Sequence, residues 1–239
     1  MTENTKPSLP LPRYIAADPI LYAGFLHLYR RGTVRVLEES DDGVFVQDTR
    51  GVSYMLAAER PELAASWLNK HAGDTFYIML VTGDGIADLA QRSLGFTERL
   101  DMYQAVYENS APPVCERRLR IVPAVENDLD FIKANYGNLD EEELTPIIRN
   151  RQIYIGYNED GERVGFIGQH MEGSIGLLEI LPEHRRHGYA TELECYMIDK
   201  VLGQGLIPYC HFKPENTASR ELQKKLGMTI TEKTVAWLF

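Results

Sequence analysis

The chain has 239 residues, 44% hydrophobic and 25% charged, which is enough apolar material for one large domain or two small ones and too much for a disordered segment. A formal net charge of −10 excludes the basic field on which non-specific nucleic-acid binding depends. Three cysteines without Cys-x-x-Cys spacing, no basic-then-apolar leader and no run of about 18 apolar residues speak against a disulfide framework, a secretory signal and a membrane span, so a cytoplasmic protein is expected.

Pro7, Pro10 and Pro12 deny residues 1–12 a helix and predict an extended lead-in. A helix is predicted from Asp18-Pro19 through Ile20, Leu21, Phe25, Leu28 and Tyr29, with Asp18 as cap, Pro19 at the first position and Gly32 past the end. Residues 34–37, 43–47 and 51–56 read as strands, the first two joined by a turn at Asp41-Asp42-Gly43. Pro61 opens a helix through Leu63, Ala64, Trp67 and Leu68. Residues 76–81 form a buried strand, 88–95 a helix ending in Gly95, and 102–107 an alternating strand. Gly83-Asp84-Gly85 is a turn without the third glycine of a dinucleotide loop. Pro112 and Pro113 punctuate a linker over residues 108–114, which sets a domain boundary between 112 and 113.

After the linker the pattern runs strand (119–122), helices (128–136 and 141–149), then a hairpin of 153–157 and 164–169 across Asn158-Glu159-Asp160-Gly161. An apolar run at 175–181, bounded by Gly176 and Pro182, reads as a buried strand. A loop and a helix over 191–203 follow, then a strand (206–212), a helix (219–226) and two terminal strands. The octet Ala90–Thr97 resembles Leu222–Thr229 at a constant shift of 132 positions, Gly95 falling on Gly227, and strand, helix, Leu-Gly and strand coincide at that shift. The two halves therefore read as two copies of one fold. They differ behind the third strand: 19 residues separate Leu56 from Phe76, against 24 between Leu181 and Leu206, and the loop described next has no counterpart at 57–61.

Chemistry concentrates in Glu183-His184-Arg185-Arg186-His187-Gly188-Tyr189-Ala190, where two arginines and two histidines precede a glycine and a helix start in an acidic chain. Free N–H groups in a first helical turn carry partial positive charge, and arginines beside them add whole charges, so the loop is suited to phosphate. Arg185-Arg186-His187-Gly188-Tyr189-Ala190 resembles the Arg/Gln-x-x-Gly-x-Gly/Ala signature of the GNAT superfamily of N-acetyltransferases, in which this loop cradles the pyrophosphate of coenzyme A. The longer order of Leu181-Pro182-Glu183-x-Arg185, then residues 205–209, Asn216-x-x-Ser219-x-x-Leu222-x-x-Lys225-Leu226-Gly227 and Trp237 resembles the glycine N-acyltransferase-like branch over residues 118–239.

The resemblance implies an α/β (α+β) protein of tandem acyl-CoA N-acyltransferase fold, its mixed central sheet flanked by helices. Residues 1–112 would be a degenerate GNAT-like copy and 113–239 the acyl-CoA-binding catalytic domain. It implies that backbone N–H groups of His187, Gly188, Tyr189 and Ala190 hold the pyrophosphate, that Thr191 opens the helix and that Arg185 and Arg186 add charge-assisted contacts. The strand end at Ile180 and Leu181 would splay from its neighbour to admit the pantetheine arm, with the Leu181 N–H polarising the thioester carbonyl. Asn216 and Ser219 would contact pantetheine, Asn216 also being a plausible helix cap. Transfer to an amine needs a base, and Glu179, a carboxylate in an otherwise apolar strand, is the first choice, with Glu172 in reserve.

Many superfamily members carry a Tyr where this chain has Gln223, which cannot act as an acid. Either Tyr209 serves, or the thiolate leaves unaided, as a thiol pKa of roughly 8.5 permits. The histidines of the loop, with His170, His211 and Cys210, match no metal signature, and no metal is expected; Cys210 as a nucleophile would need a base, and His211 points to the opposite strand face. The expected activity is transfer of acetyl from acetyl-CoA to a primary amine of a small molecule or amino acid, with no nucleic-acid or membrane partner; a homodimer is compatible with it. The alternative is a non-catalytic acyl-CoA-binding or sensing module.

Overall fold

The structure, a computed structural model, describes residues 10–51, 53–137 and 139–239. Most of the expected lead-in, with Pro7, and Val52 of the third expected strand lie outside the described residues; 10–12 are irregular and lead into α1 (Arg13–Ala16). The helix expected from Pro19 begins later, as α2 (Ala23–Arg31). Asp18 is spent on a preceding turn, its carbonyl accepting the Tyr22 N–H at 3.0 Å and its Oδ1 the Leu21 N–H at 2.9 Å. Gly32, at φ 71°, ends α2 in the left-handed region that a side chain would disfavour.

An antiparallel meander follows: β1 (Val34–Ser40), β2 (Gly43–Asp48) and β3 (Tyr54–Ala58). Pro61 occupies the first turn of α3 (Pro61–Lys70), and β4 (Met79–Thr82), α4 (Ile86–Leu94) and β5 (Arg99–Val106) complete the first half. After the linker come β6 (Arg120–Pro123), α5 (Leu129–Asn135) and α6 (Glu141–Arg149), the last started by a reciprocal Asp140–Glu143 capping box. The second half then repeats the first: β7 (Ile153–Tyr157), β8 (Arg163–Gln169), β9 (Ile175–Ile180), α7 (Tyr189–Gly203), β10 (Tyr209–Phe212), α8 (Thr217–Lys225), the short β11 (Thr229–Ile230) and β12 (Val235–Leu238).

One mixed sheet carries these strands in the order β1-β2-β3-β4-β12-β5-β10-β9-β8-β7-β6, with β11 beside β5. The last strand of each half crosses over: β12 lies between β4 and β5, antiparallel to both, and β5 separates β12 from β10. Helices cover both faces. On one, α2 packs Phe25, Leu28 and Tyr29 into a core that also holds Val106, Tyr209 and Trp237, so residues from both halves share it. On the other, Leu193, Met197, Ile198 and Val201 of α7 pack on Ile167, Ile175 and Cys210. The halves are also joined by a polar cluster: Arg31 donates to Asp48 at 2.7 Å and to the Met171 carbonyl at 3.0 Å, with Asp48 fully buried. Removing one member of such a buried pair costs about 3–5 kcal/mol, because the other charge is left uncompensated. Among the described residues no helix is long and apolar enough to cross a membrane.

Candidate active site

The two halves differ most where a parallel strand pair meets a helix start. β3 and β4 pair over four residues, from Tyr54↔Met79 to Ala57↔Thr82, and are zipped along their length. β9 and β10 share only Ile175↔Cys210. Beyond that pair the sheet is open toward the C-terminal ends of both strands, and it is from this end that α7 and α8 depart. Pro182, without an N–H, prevents β9 from continuing its ladder. A bulge reinforces the opening: Glu179 to Gly176 on β9 spans one residue more than Phe166 to Gly168 on β8, and Leu177 takes φ 50° to absorb it.

The connection from β9 to α7 is built by its own hydrogen bonds. Residues Pro182–His184 form a 3-10 turn in which the His184 N–H donates to the Leu181 carbonyl at 2.9 Å. Arg186 (φ 68°) and Gly188 (φ 85°) are left-handed, a conformation that a non-glycine residue holds at some cost and that aims backbone N–H groups into a concavity suited to anions. Among the described residues nothing accepts from the N–H groups of Arg186, His187 and Gly188, and the first-turn N–H groups of Tyr189, Ala190 and Thr191 have no partner within the helix. The Arg186 guanidinium forms no ion pair among the described residues, and the His187 ring stacks on Tyr189 at 5.7 Å.

Two further cations flank this loop. Arg118, two residues before β6, donates to the His187 carbonyl at 2.5 Å and lies over the Tyr189 ring at 5.3 Å. Lys225, at the end of α8, donates to Thr191 Oγ1 at 3.2 Å. Glu192, buried in the first turn of α7, accepts the Leu119 N–H at 2.5 Å and so ties the chain entering β6 to the loop. The only local hint of Arg118 is its place in the Arg117-Arg118 pair that follows Glu116; nothing in the sequence pairs it with a loop about 70 positions on.

The Leu181 N–H donates to Val164 O on β8 at 2.9 Å and faces away from the opening, so it cannot polarise a bound carbonyl. Strand alternation turns the backbone of Ile180 the other way, and its carbonyl accepts from Arg185 Nε at 3.0 Å. Arg185 also reaches Glu179 with Nη2 at 3.0 Å from Oε1; its guanidinium thus lies beside the opening, engaged with Glu179, and Arg186 is the arginine left free for an anion. Glu179 is at the opening and half-buried.

Glu172 and Tyr209 are not there. Both lie at the end where β9 and β10 are paired; five residues of strand, roughly 16 Å, separate Ile175 from Ile180. Glu172 is buried and accepts from Ser174 Oγ, and the fully buried Tyr209 is 3.5 Å from the Glu172 carbonyl and edge-on to His27. Burial pushes the Tyr209 hydroxyl well above its ordinary pKa of 10.0, an environment that packs the ring and offers no route to a leaving group. Gln223 is buried on α8 with no partner for Oε1 among the described residues. Asn216 caps α8, its Oδ1 accepting the Ser219 N–H at 3.0 Å, and both residues stand at the open end. Among the described residues no three His, Cys, Asp or Glu side chains are gathered to hold a metal ion.

This geometry has relatives. The FR47-like protein family model matches residues 154–238, from β7 to β12, about a third of the chain and the part that contains the opening, the loop and α7. No curated protein matches the sequence. A Drosophila protein of known structure superposes with a TM-score of 0.66 at 16% identity, covering 95% of this chain and 93% of its own. A GCN5-related N-acetyltransferase from Kribbella flavida gives 0.53 at 14% identity, with 96% of each chain covered. A GNAT-family acetyltransferase from Colwellia psychrerythraea gives 0.52 at 15%, covering 83% and 81%. The chain thus has the mixed α/β fold of GNAT acetyltransferases, with its open strand pair and anion-receptive loop inside the FR47-like segment.

Proposed function

We propose that this protein is an acyl-CoA-dependent N-acyltransferase of the glycine N-acyltransferase-like branch, moving an acetyl group to a primary amine of a small molecule or amino acid. The observation that carries the reading is the contrast between β9 and β10, which part after one pair beside unpaired N–H groups, and β3 and β4, which stay zipped. Residues 1–112 and 113–239 are then two copies of one fold, of which the second keeps the ligand slot. A cytoplasmic setting accords with the three free thiols.

The residues present fit coenzyme A. The N–H groups of Arg186 to Thr191, the guanidinium of Arg186 and the flanking Arg118 and Lys225 would hold the phosphates, and the unpaired edges of β9 and β10 would receive the pantetheine amides, with Asn216 and Ser219 at the mouth. When bound, the coenzyme supplies its acyl group as a thioester open to attack by a neutral amine. The Ile180 N–H, facing the opening, takes the role expected of Leu181 and donates to the carbonyl oxygen as negative charge develops there. Glu179 accepts the proton of the incoming ammonium, directly or through one water, as it exchanges its Arg185 partner for the substrate. The thiolate leaves without a side-chain acid.

The alternative, a non-catalytic acyl-CoA sensor, draws support from the burial of Tyr209 and from Gln223 in place of a Tyr. Thiol release from acetyl-CoA over a panel of amino acids, polyamines and peptides separates the two. Turnover on an amine that Glu179→Gln reduces at least about 100-fold, within the usual range for a general base, with CoA affinity retained, supports the transferase. Saturable CoA binding without turnover on any amine supports the sensor, and absence of CoA binding overturns both.

A further inference from the structure

A cleft of about 380 Å³ lies beside the last turns of α7, away from the phosphate loop: Lys200 on its wall is eleven residues, about 16 Å of helix, from Tyr189. Three cations from three separate segments line it: Arg50 after β2, Arg151 before β7 and Lys200. None of them forms an ion pair among the described residues, although the chain carries a formal charge of −10 and acids abound. Lys200 Nζ lies 4.9 Å from the centroid of the Tyr154 ring, and Arg151 is held in the left-handed region at φ 55°. Uncompensated like charges gathered in a cleft repel one another and focus a field on whatever enters it.

The remaining wall narrows the chemistry. Gln152 is 8% exposed; its Nε2 donates to the His170 carbonyl at 3.3 Å, and its Oε1 is buried with no donor. A buried acceptor without a partner is unfavourable unless a ligand donates to it. Tyr154 and Tyr196, with ring centroids 5.2 Å apart, add carbon surface suited to a short apolar spacer. Inorganic phosphate is too compact to touch all three segments at once, whereas two carboxylates joined by a short carbon chain would reach cations on different segments and lay the chain against the tyrosine carbons.

We infer that this cleft, where the β2–β3 turn of the first half meets α7 of the second, binds a small hydroxy-dicarboxylate: its carboxylates on Arg50, Arg151 and Lys200 and its hydroxyl on Gln152. The site is independent of the acyltransferase reading. The probe is L-malate, compared with succinate and inorganic phosphate at constant ionic strength, read by thermal unfolding and calorimetry on the full chain. Malate should stabilise the protein saturably, and Lys200→Met and Arg151→Gly should each weaken its Kd at least tenfold; both replacements spare the fold, one keeping the stem over Tyr154 and the other easing a left-handed position. Succinate should bind more weakly than malate, and Arg186→Glu should leave malate binding unchanged while weakening CoA. Absence of saturable malate binding, equal binding by the cleft variants, or saturation by phosphate alone would overturn the assignment. Succinate binding as tight as malate would overturn the Gln152 contact.

Discussion

Replacing Glu194 by Gln should make the protein less sensitive to rising pH. Glu194, on the sheet-facing side of α7, is 2% exposed, its Oε1 has no hydrogen-bond partner among the described residues, and burial raises its carboxyl from 4.5 to about 7. An unfolded chain releases that proton near the ordinary value, while the folded chain keeps it until about pH 7. Stability attributable to the group is therefore present below pH 4.5 and lost as pH rises to about 7 and beyond. The interval between 4.5 and about 7, at about 1.4 kcal/mol per pH unit, amounts to about 3 kcal/mol of lost stability by pH 8. Urea unfolding of parent and Glu194→Gln at pH 4.5, 6 and 8, followed by tryptophan fluorescence and circular dichroism together, measures it. The difference between the two proteins should shift in favour of the variant by about 3 kcal/mol across that range. His27 and His211, whose burial lowers them to about 4 and about 3, titrate identically in both proteins and cancel. A difference independent of pH would refute the argument, since it would mean that Glu194 ionises alike in the folded and unfolded chain.

Arg118→Ala should weaken CoA binding about tenfold by calorimetry, the effect of losing one charge-assisted contact of about 1.4 kcal/mol, with kcat little changed; unchanged affinity would remove Arg118 from the phosphate site. Tyr209→Phe should leave turnover within about twofold, because the hydroxyl only approaches a buried carbonyl; a loss of more than about 100-fold, the scale of a missing proton donor, would restore the tyrosine as an acid. Residues 113–239 expressed alone should aggregate, because among the described residues β12 pairs only with β4 and β5 of the first half, whereas co-expression with 1–112 should restore a soluble complex. A well-folded isolated second half, shown by dispersed amide resonances, would contradict this account of the strand exchange.

Local rules accounted for most of the elements. Pro61, Gly95, the Asp140–Glu143 pair and the Asn158–Gly161 turn mark boundaries through interactions a few residues long, so they could be read from the chain, and β2, α3, α6, β7 and β8 lie within a residue or two of expectation. α2 began late because Asp18 caps a turn that no periodicity announces. The loop between β9 and α7 stood out in the sequence because its arginines, glycine and helix start are contiguous. Glu179, Glu172 and Tyr209 could not be sorted in the same way: burial and proximity to the opening depend on which end of β9 remains paired to β10, a pairing between segments about 30 residues apart.

Propensity, capping and charge act between near neighbours, which is why the chain order of most strands and helices, and the helix start behind Arg185–Gly188, could be read from the amino acids alone. The exchange of the last strands, the turn of the Leu181 N–H to Val164 and the closure of Arg118 on His187 lay beyond such rules. These are contacts between distant segments, whose partners are chosen by how whole surfaces pack rather than by any spacing along the chain.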